Sequence, residues 1–257
     1  MKIRHAKSDD KNPVLAFCNH TFSWGDYIHD VWDIWIKEGN LYVITHDTIA
    51  GLCHGAFFGS FVWIEGIRIH PSFRNQGLAS HLVRHIESLA AKRKIRKSCM
   101  LIDTNNLPSL CMAKKLGYEI LDMWNFYSLL PQQTKHASVQ FGYSKALTLM
   151  KHYVKSWRWI SLDEESLSSL LESHKIIYSD SNGDVSSAIM TDSEHFEKTM
   201  IVTLHSGSNS NTTNLLLYIQ NFGFKNNYRR IQILTKNNIF LPLLEYRISF
   251  NLMSRFI

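Results

Sequence analysis

The chain has 257 residues, 45% of them hydrophobic and 19% charged, with a formal net charge of +6. That balance suits one or two globular domains and excludes a disordered chain. No long basic tract marks a nucleic-acid protein, and no apolar run of roughly 20 residues marks a membrane span. Met1 leads straight into polar sequence without a hydrophobic signal core, so a cytoplasmic protein with no membrane or nucleic-acid partner is expected. The four cysteines (Cys18, Cys53, Cys99 and Cys111) show no paired spacing, the histidines form no HExxH pair, and no metal is expected.

In chain order, Met1 to Ala6 reads as a strand, and Ser8-Asp9-Asp10 as the start of a helix. A second helix fits Tyr27 to Ile36, with Ile28, Val31, Trp32, Trp35 and Ile36 on one face, and Gly39 lies just beyond it. Strands are expected at Leu41 to Thr45, Ile49 to Phe58 and Phe61 to His70, where branched and aromatic residues concentrate. A long helix then runs to about Lys92, and the basic run from Lys92 to Lys97 reads as its solvated C-terminal turn, where cations suit the helix dipole, with contact to a phosphorylated ligand or an acidic surface as the alternative. Cys99 to Asp103 is a strand, Leu110 to Leu116 a short helix, and Tyr118 to Leu130 the closing strands. Strands alternating with helices indicate an α/β protein.

Periodicity fades near Pro131, which sets two domains, 1–130 and 131–257, with a linker at about 131–145. Beyond it the pattern returns. "LYVITHDTIAGLCHGA" from Leu41 lies on "IIYSDSNGDVSSAIMT" from Ile176, and Ile67-Arg68-Ile69-His70 lies on Val202-Thr203-Leu204-His205 at the same offset. "LIDTNNL" from Leu101 then matches "QILTKNNI" from Gln232 at a slightly smaller offset, as a short deletion in the intervening helix would produce. The second half therefore reads as a duplicate of the first.

The segment "GIRIHPSFRNQGLASHLVRHI" from Gly66 carries the chemistry. A strand, a glycine turn and a helix N-terminus form an anion cradle, because first-turn amides lack partners and the dipole favours negative charge. Gly77 permits close approach or positive φ, Ala79 is small, and Arg74 can add a charge-assisted contact to phosphate. The glycine pattern is neither the dinucleotide fingerprint nor a P-loop.

This segment, the strand at Lys97 to Thr104 and "NNLPSLCMAKKLGYEIL" together resemble the GNAT acyl-CoA N-acyltransferase superfamily over roughly Met1 to Leu130. The resemblance implies tandem GNAT-like domains, each a mixed, mostly antiparallel sheet flanked by helices, with the second copy degenerate. It implies acetyl-CoA as co-substrate. The pyrophosphate would lie on Arg74, Asn75, Gln76, Gly77, Leu78 and Ala79, and the pantetheine and acetyl carbonyl along the backbone of Ile67, Arg68 and Ile69. Asn106, leading to Leu116-Gly117-Tyr118, is the family's asparagine after the next strand. "GDYIHDVWDIWI" and "VWIEGIRIHP" are similar to the amino-acid (histidine) N-acetyltransferase branch, whose members also carry a degenerate second half.

The acceptor's protonation then decides what catalysis requires. A lysine-type amine is neutral about one part in 2,500 at pH 7, an α-amine about one part in ten. Glu65, a carboxylate flanked by Ile64 and Gly66 in the strand entering the cradle, is the expected general base, in line with the glutamate that family members often place there. The family's usual general acid is a tyrosine, and its position here is Ala113. Tyr118, five residues on, is expected to pack in the core. Phe22, Trp24, Tyr27, Trp32 and Trp35 crowd the acceptor region. Trp24, Tyr27 and His54 are the residues expected to line it, for a flat small-molecule amine, in a monomer or homodimer. At the first repeat offset, Arg74, Gly77 and Ala79 become Asn209, Thr212 and Asn214, and Glu65 becomes Met200. One coenzyme A site is therefore expected, with the second half supporting the first or shaping its acceptor cleft. The activity implied is N-acetylation of a small amine, with an amino-acid α-amine as the expected acceptor. Its rivals are a protein N-terminal or lysine acetyltransferase and a non-catalytic coenzyme A sensor.

Overall fold

The structure is a computed structural model that describes residues 1–257 except 20, 22–24 and 182. It divides into two compact units: Met1–Asp122 with Asn251–Ile257, and Met123–Phe250. The division differs from a cut at 130/131 in two ways. It falls within the strand Glu119–Leu129, and the last seven residues return to the first unit. Which strand pairs with which is a long-range choice that local periodicity does not carry.

Unit 1 contains β1 (Lys2–His5), α1 (Lys11–Cys18), α2 (Ile28–Glu38), β2 (Leu41–Thr45), β3 (Ile49–Phe57), β4 (Val62–Ile69), α3 (Leu78–Lys92), β5 (Lys97–Asp103) and α4 (Leu107–Lys115). Its sheet runs β1-β2-β3-β4-β5, antiparallel up to β4 and parallel from β4 to β5, with α3 as the crossover. The strand beside β5 comes from the C terminus, where the Ile257 amide donates to the Arg96 carbonyl.

The helices cover both faces of this sheet. Leu82, Val83 and Ile86 of α3 pack on Ile44, Val62, Ile64 and Met100. On the other face, Ile28, Val31, Trp32 and Trp35 of α2 join Val14 and Cys18 of α1 over Leu41, Val43 and Leu52. These α2 residues are the apolar stripe read from the sequence, and Gly39, at φ +77°, ends the helix by accepting a left-handed turn. Trp35, 1% exposed, hides on the order of 200 Å² of ring, worth at most about 5 kcal/mol of transfer free energy.

Unit 2 contains most of β6 (Glu119–Leu129), then β7 (Gln140–Phe141), β8 (His152–Lys155), β9 (Arg158–Ser161), α5 (Glu164–Glu172), β10 (Ile176–Ser181), β11 (Asp184–Asp192), β12 (Thr199–His205), α6 (Asn209–Lys225), β13 (Arg230–Thr235) and the first part of β14 (Leu244–Phe256). Its sheet repeats the pairing of unit 1. Strands β10, β11 and β12 are antiparallel, and β12 runs parallel to β13 through the crossover α6. β6 fills the place beside β13. The strand starts agree with the repeat read from the sequence, Leu41 answering to Ile176. The deletion, however, falls in a loop and not in the helix. Residues 70–77 connect β4 to α3, whereas residues 206–208 alone connect β12 to α6.

Candidate active site

Strands β4 and β5 pair only at Val62–Ser98, Trp63–Cys99 and Ile64–Met100, although β4 continues to Ile69 and β5 to Asp103. Where the two part, β4 carries a bulge. Its register with β3 passes from Leu52–Arg68 to His54–Glu65, so Gly66 and Ile67 share the place opposite Cys53. Gly66 sits at φ +66°, and a Cβ there would lie 2.5 Å from the Trp35 ring. Glycine is thus required twice over. The extra residue turns Glu65 and Arg68 to the same face, the one covered by α2, while Ile64 points into the α3 core.

On that face lies a run of polar side chains. His54 is fully buried, stacks flat on Trp35 at 4.7 Å, and brings Nδ1 to 2.9 Å from Glu65 Oε1. Its Nε2 lies 3.1 Å from Glu38 Oε2, close in distance but off the direction of a hydrogen bond. Such contacts often tighten only when substrate binds. The Glu65 side chain is 10% exposed and that of Glu38 28%. Arg68 makes a two-point contact with Asp26, at 2.6 and 3.0 Å, and lies over the Tyr27 ring at 5.1 Å. Burial, aided by Glu65 and Asp26, pushes the Tyr27 phenol up against the opposing pull of Arg68, so the ring is a neutral wall. Burial likewise raises the Cys53 thiol well above its usual range and leaves it un-ionised.

The cradle follows β4. A 3₁₀ turn at Pro71–Phe73 leads to Arg74, then to Asn75 at φ +62° and Gly77 at φ +76°, which begins α3. Among the described residues no side chain caps the first turn of α3, and a Cβ on Gly77 would meet nothing within 4 Å. The amides at Leu78 and Ala79 are thus without a side-chain cap at the positive end of a 15-residue helix. Arg74 is steered by a bond from Nε to the Ile69 carbonyl, 3.3 Å, and lines a cavity of about 370 Å³ with Phe17 and His70.

Not every residue read from the sequence joins this site. Trp24 and Phe22 lie outside the described residues. Asn106 caps α4, its side chain accepting from the Ser109 amide at 3.2 Å, a structural duty that competes with ligand contact. Ala113 is fully buried. Tyr118 is held by Ser98 and by Glu87, at 2.5 and 2.8 Å, and burial drives its phenol far up, so it is a core residue and no acid. His81 and His85 do stand four apart on α3, but His85 packs edge-on against Tyr42. Among the described residues, no three His, Cys, Asp or Glu side chains converge as a metal site would require. No helix among the described residues is long and apolar enough to cross a membrane.

Glu38 and Asp26 are the members that sequence reasoning missed, while Trp35, read there only as crowding the acceptor region, is the ring on which His54 stacks. Glu38 did carry a signal: a carboxylate in the last turn of a helix opposes the dipole and needs a partner.

Comparison with known proteins bears on this geometry. Residues 13–118 match the acetyltransferase (GNAT) family. Acetyltransferases of Sodalis glossinidius and Pectobacterium atrosepticum are each 25% identical to 48% of this chain, a stretch that spans 89% and 90% of their own lengths. A GCN5-related N-acetyltransferase from Sphaerobacter thermophilus shares the fold with a TM-score of 0.64 and 11% identity, over 99% of this chain and 95% of that one. An acetyltransferase candidate from Thermoplasma acidophilum does so with a TM-score of 0.65 and 13% identity over the whole of both chains. The parted strands, the bulge and the uncapped helix all fall within residues 13–118, the stretch that matches the acetyltransferase (GNAT) family, and that likeness supports an acyl-CoA-dependent N-acetyltransferase.

Proposed function

We propose that unit 1 acetylates the amine of a small molecule, an amino-acid α-amine in particular, and holds the chain's one coenzyme A site. The observation that carries this reading is Glu65, fixed by His54 at the bulge where β4 leaves β5. In this reading the pyrophosphate of acetyl-CoA lies on residues 74–79, and its amide-bearing arm runs along Ile67–Ile69 on the side that β5 has vacated. Tyr27 walls the acceptor.

The amine nitrogen attacks the acetyl carbonyl carbon. As the N–C bond forms and the C–S bond breaks, an amine proton passes to Glu65. His54 keeps the carboxylate aimed and can hand the proton to Glu38, whose side chain reaches solvent. The departing coenzyme A thiolate is a tolerable leaving group and goes without an acid, which accommodates Ala113. An α-amine asks least of such a site, because about a tenth of it is already neutral at pH 7.

The test is thiol release from acetyl-CoA against amino acids, polyamines and peptides, with the N-acetyl product identified by mass. Turnover on free amino acids is expected. Preference for peptides would move the acceptor to protein, and tight coenzyme A binding without turnover on any amine would leave a sensor. Glu65→Gln is expected to lower kcat about 10²- to 10³-fold, within the usual range of a general base, with acetyl-CoA affinity nearly unchanged. Equal loss of both would make Glu65 structural.

A further inference from the structure

Asp26 and Arg68 of unit 1 form a buried ion pair, with side chains 4% and 12% exposed. Arg68 reaches α2 because the bulge sets it on the same face as Glu65. Both oxygens of Asp26 are in use. Oδ2 accepts from Arg68 Nε at 2.6 Å, and Oδ1 accepts from Arg68 Nη2 at 3.0 Å and from the Ile28 amide, at the start of α2, at 3.1 Å. Arg68 also donates from Nη1 to the Ile67 carbonyl at 3.0 Å and lies over the Tyr27 ring. The pair thus ties the first turn of α2, with Tyr27, to the stretch of β4 that carries Glu65.

Stability alone does not call for such a pair. Attraction between two charges taken out of water offsets their lost hydration only in part, and uncharged replacements for a buried pair are often as stable or more so. Unit 2 shows the simpler fastening. At the repeat position of Arg68 stands Thr203, fully buried on the face away from α6. Its hydroxyl accepts from the Val154 amide at 2.8 Å and fastens β8 there. One neutral bond therefore suffices to hold a covering segment at this strand position. What the forked pair adds is geometry, because two bonds from one planar group fix an angle as well as a distance.

We infer that Asp26 and Arg68 are positioning residues for acetyl transfer, which set the acceptor wall at Tyr27 against the carboxylate of Glu65. The inference rests on the reading of Glu65 as the base and Tyr27 as the wall. Neither Asp26 nor Arg68 moves a proton. A misplacement of about 1 Å between reacting groups costs about 10²-fold in rate, so the pair governs kcat. The donor, held in this reading by the backbone of β4 and by the cradle, binds as before.

The experiment uses the full chain, with amino acids, polyamines and peptides supplied together as acceptors, and measures thiol release beside chemical denaturation. Arg68→Lys keeps the charge and gives up the fork, and its kcat is expected to fall about tenfold with KM for acetyl-CoA nearly unchanged. The double variant Asp26→Ser with Arg68→Met removes both charges and leaves a hydroxyl for the Ile28 amide. Its kcat should fall about 10²-fold, while its denaturation midpoint and its KM for acetyl-CoA stay close to those of the parent. A double variant as fast as the parent would overturn the inference. So would a loss of rate matched by a loss of stability, which would make the pair structural. Glu65→Gln at the parent rate would remove the base and this inference together, whereas a slow Glu65→Gln beside a fast double variant removes the inference alone.

Discussion

Two helices in this chain follow the same crossover from one parallel strand to the next, and their first turns are finished in opposite ways. At α3 the residue before the helix is Gly77, no side chain reaches the free amides, and residues 70–77 form a wide loop in front of them. At α6 the equivalent residue is Ser208, not the Thr212 that a constant repeat offset sets against Gly77, because the connection before α6 is shorter, and the Ser208 hydroxyl accepts from the Asn211 amide at 3.3 Å. The short connection there is sealed from within. Gly207 N–H donates to Ser186 Oγ, and the Thr212 hydroxyl bonds with Ser186 and Ser206. The strands show the same contrast. β12 and β13 pair from Thr199–Arg230 to Leu204–Thr235 in unbroken register, while β4 and β5 part after Ile64. One topology therefore has a closed form, in which the helix cap and the strand edge meet chain partners, and an open form that leaves strand edge and helix amides to something else. Folding alone is served by the closed form, so the open one points to a ligand.

The largest blow to this contrast should come at Gly66. The residue at its repeat position in unit 2 is Ile201, fully buried in a strand without a bulge. Gly66→Ala must place a methyl group against Trp35 at positive φ, and the combined backbone and packing cost is about 2–5 kcal/mol. Chemical denaturation should show that loss, and acetyl transfer should fall with it. A variant that is fully stable and fully active would mean the bulge is incidental. Next in size is Gly77→Ser, which sets a hydroxyl before α3 at a residue whose φ of +76° strains any side chain, whereas Ser208 caps α6 from extended backbone. With the hydroxyl competing for the amides, KM for acetyl-CoA is expected to rise about 10- to 100-fold while kcat with saturating donor changes little. An unchanged KM would remove the cradle from the site.

Much of this was readable beforehand, for reasons that can be named. The stripe of α2 and the strand starts at Leu41 and Ile176 follow from periodicity, and Arg74, Gly77 and Ala79 stand at a junction where backbone chemistry restricts residue choice. What escaped is long-range. The pairing of Glu38 with His54 joins a helix end to a strand through folding alone, and so does the contact of Asp26 with Arg68. The bulge was hidden because "IEGIRI" alternates well enough for a regular strand, and only the register against β3 exposes the extra residue. The strand exchange beside β5 and β13 was out of reach for the same reason.

A smaller effect sharpens the contrast from the other side. Ser208→Ala should cost unit 2 about 1 kcal/mol, the usual worth of an N-cap, and leave kcat/KM for acetyl-CoA unchanged. A large kinetic loss would tie α6 to donor binding and undo the assignment of a single site.

The smallest test concerns the edge strands, which are fastened by different chemistry. In unit 1, β1 is held by Arg4, whose guanidinium meets Asp10 at 2.6 and 2.8 Å, and Asp10 also accepts from the Lys7 amide. In unit 2, the segment leading to β7 is held by neutral bonds, from the Thr134 hydroxyl to the Leu217 carbonyl and from the Ala137 amide to Asn214. The Arg4 hydrogen bond holds the Asp10 carboxyl below its ordinary range. A carboxylate depressed on folding gives its stability above the unfolded pKa of about 3.9 and loses it as the pH falls through the lower folded value. Amide-exchange protection in β1 should therefore drop on acidification through that window, while β7 responds less. Arg4→Ala should cost β1 about 1 kcal/mol at neutral pH, a value discounted because the guanidinium is 30% exposed, and should flatten its acid dependence. If β1 and β7 loosen together as acid is added, then the two units do not open separately, and the contrast between them ends at the site.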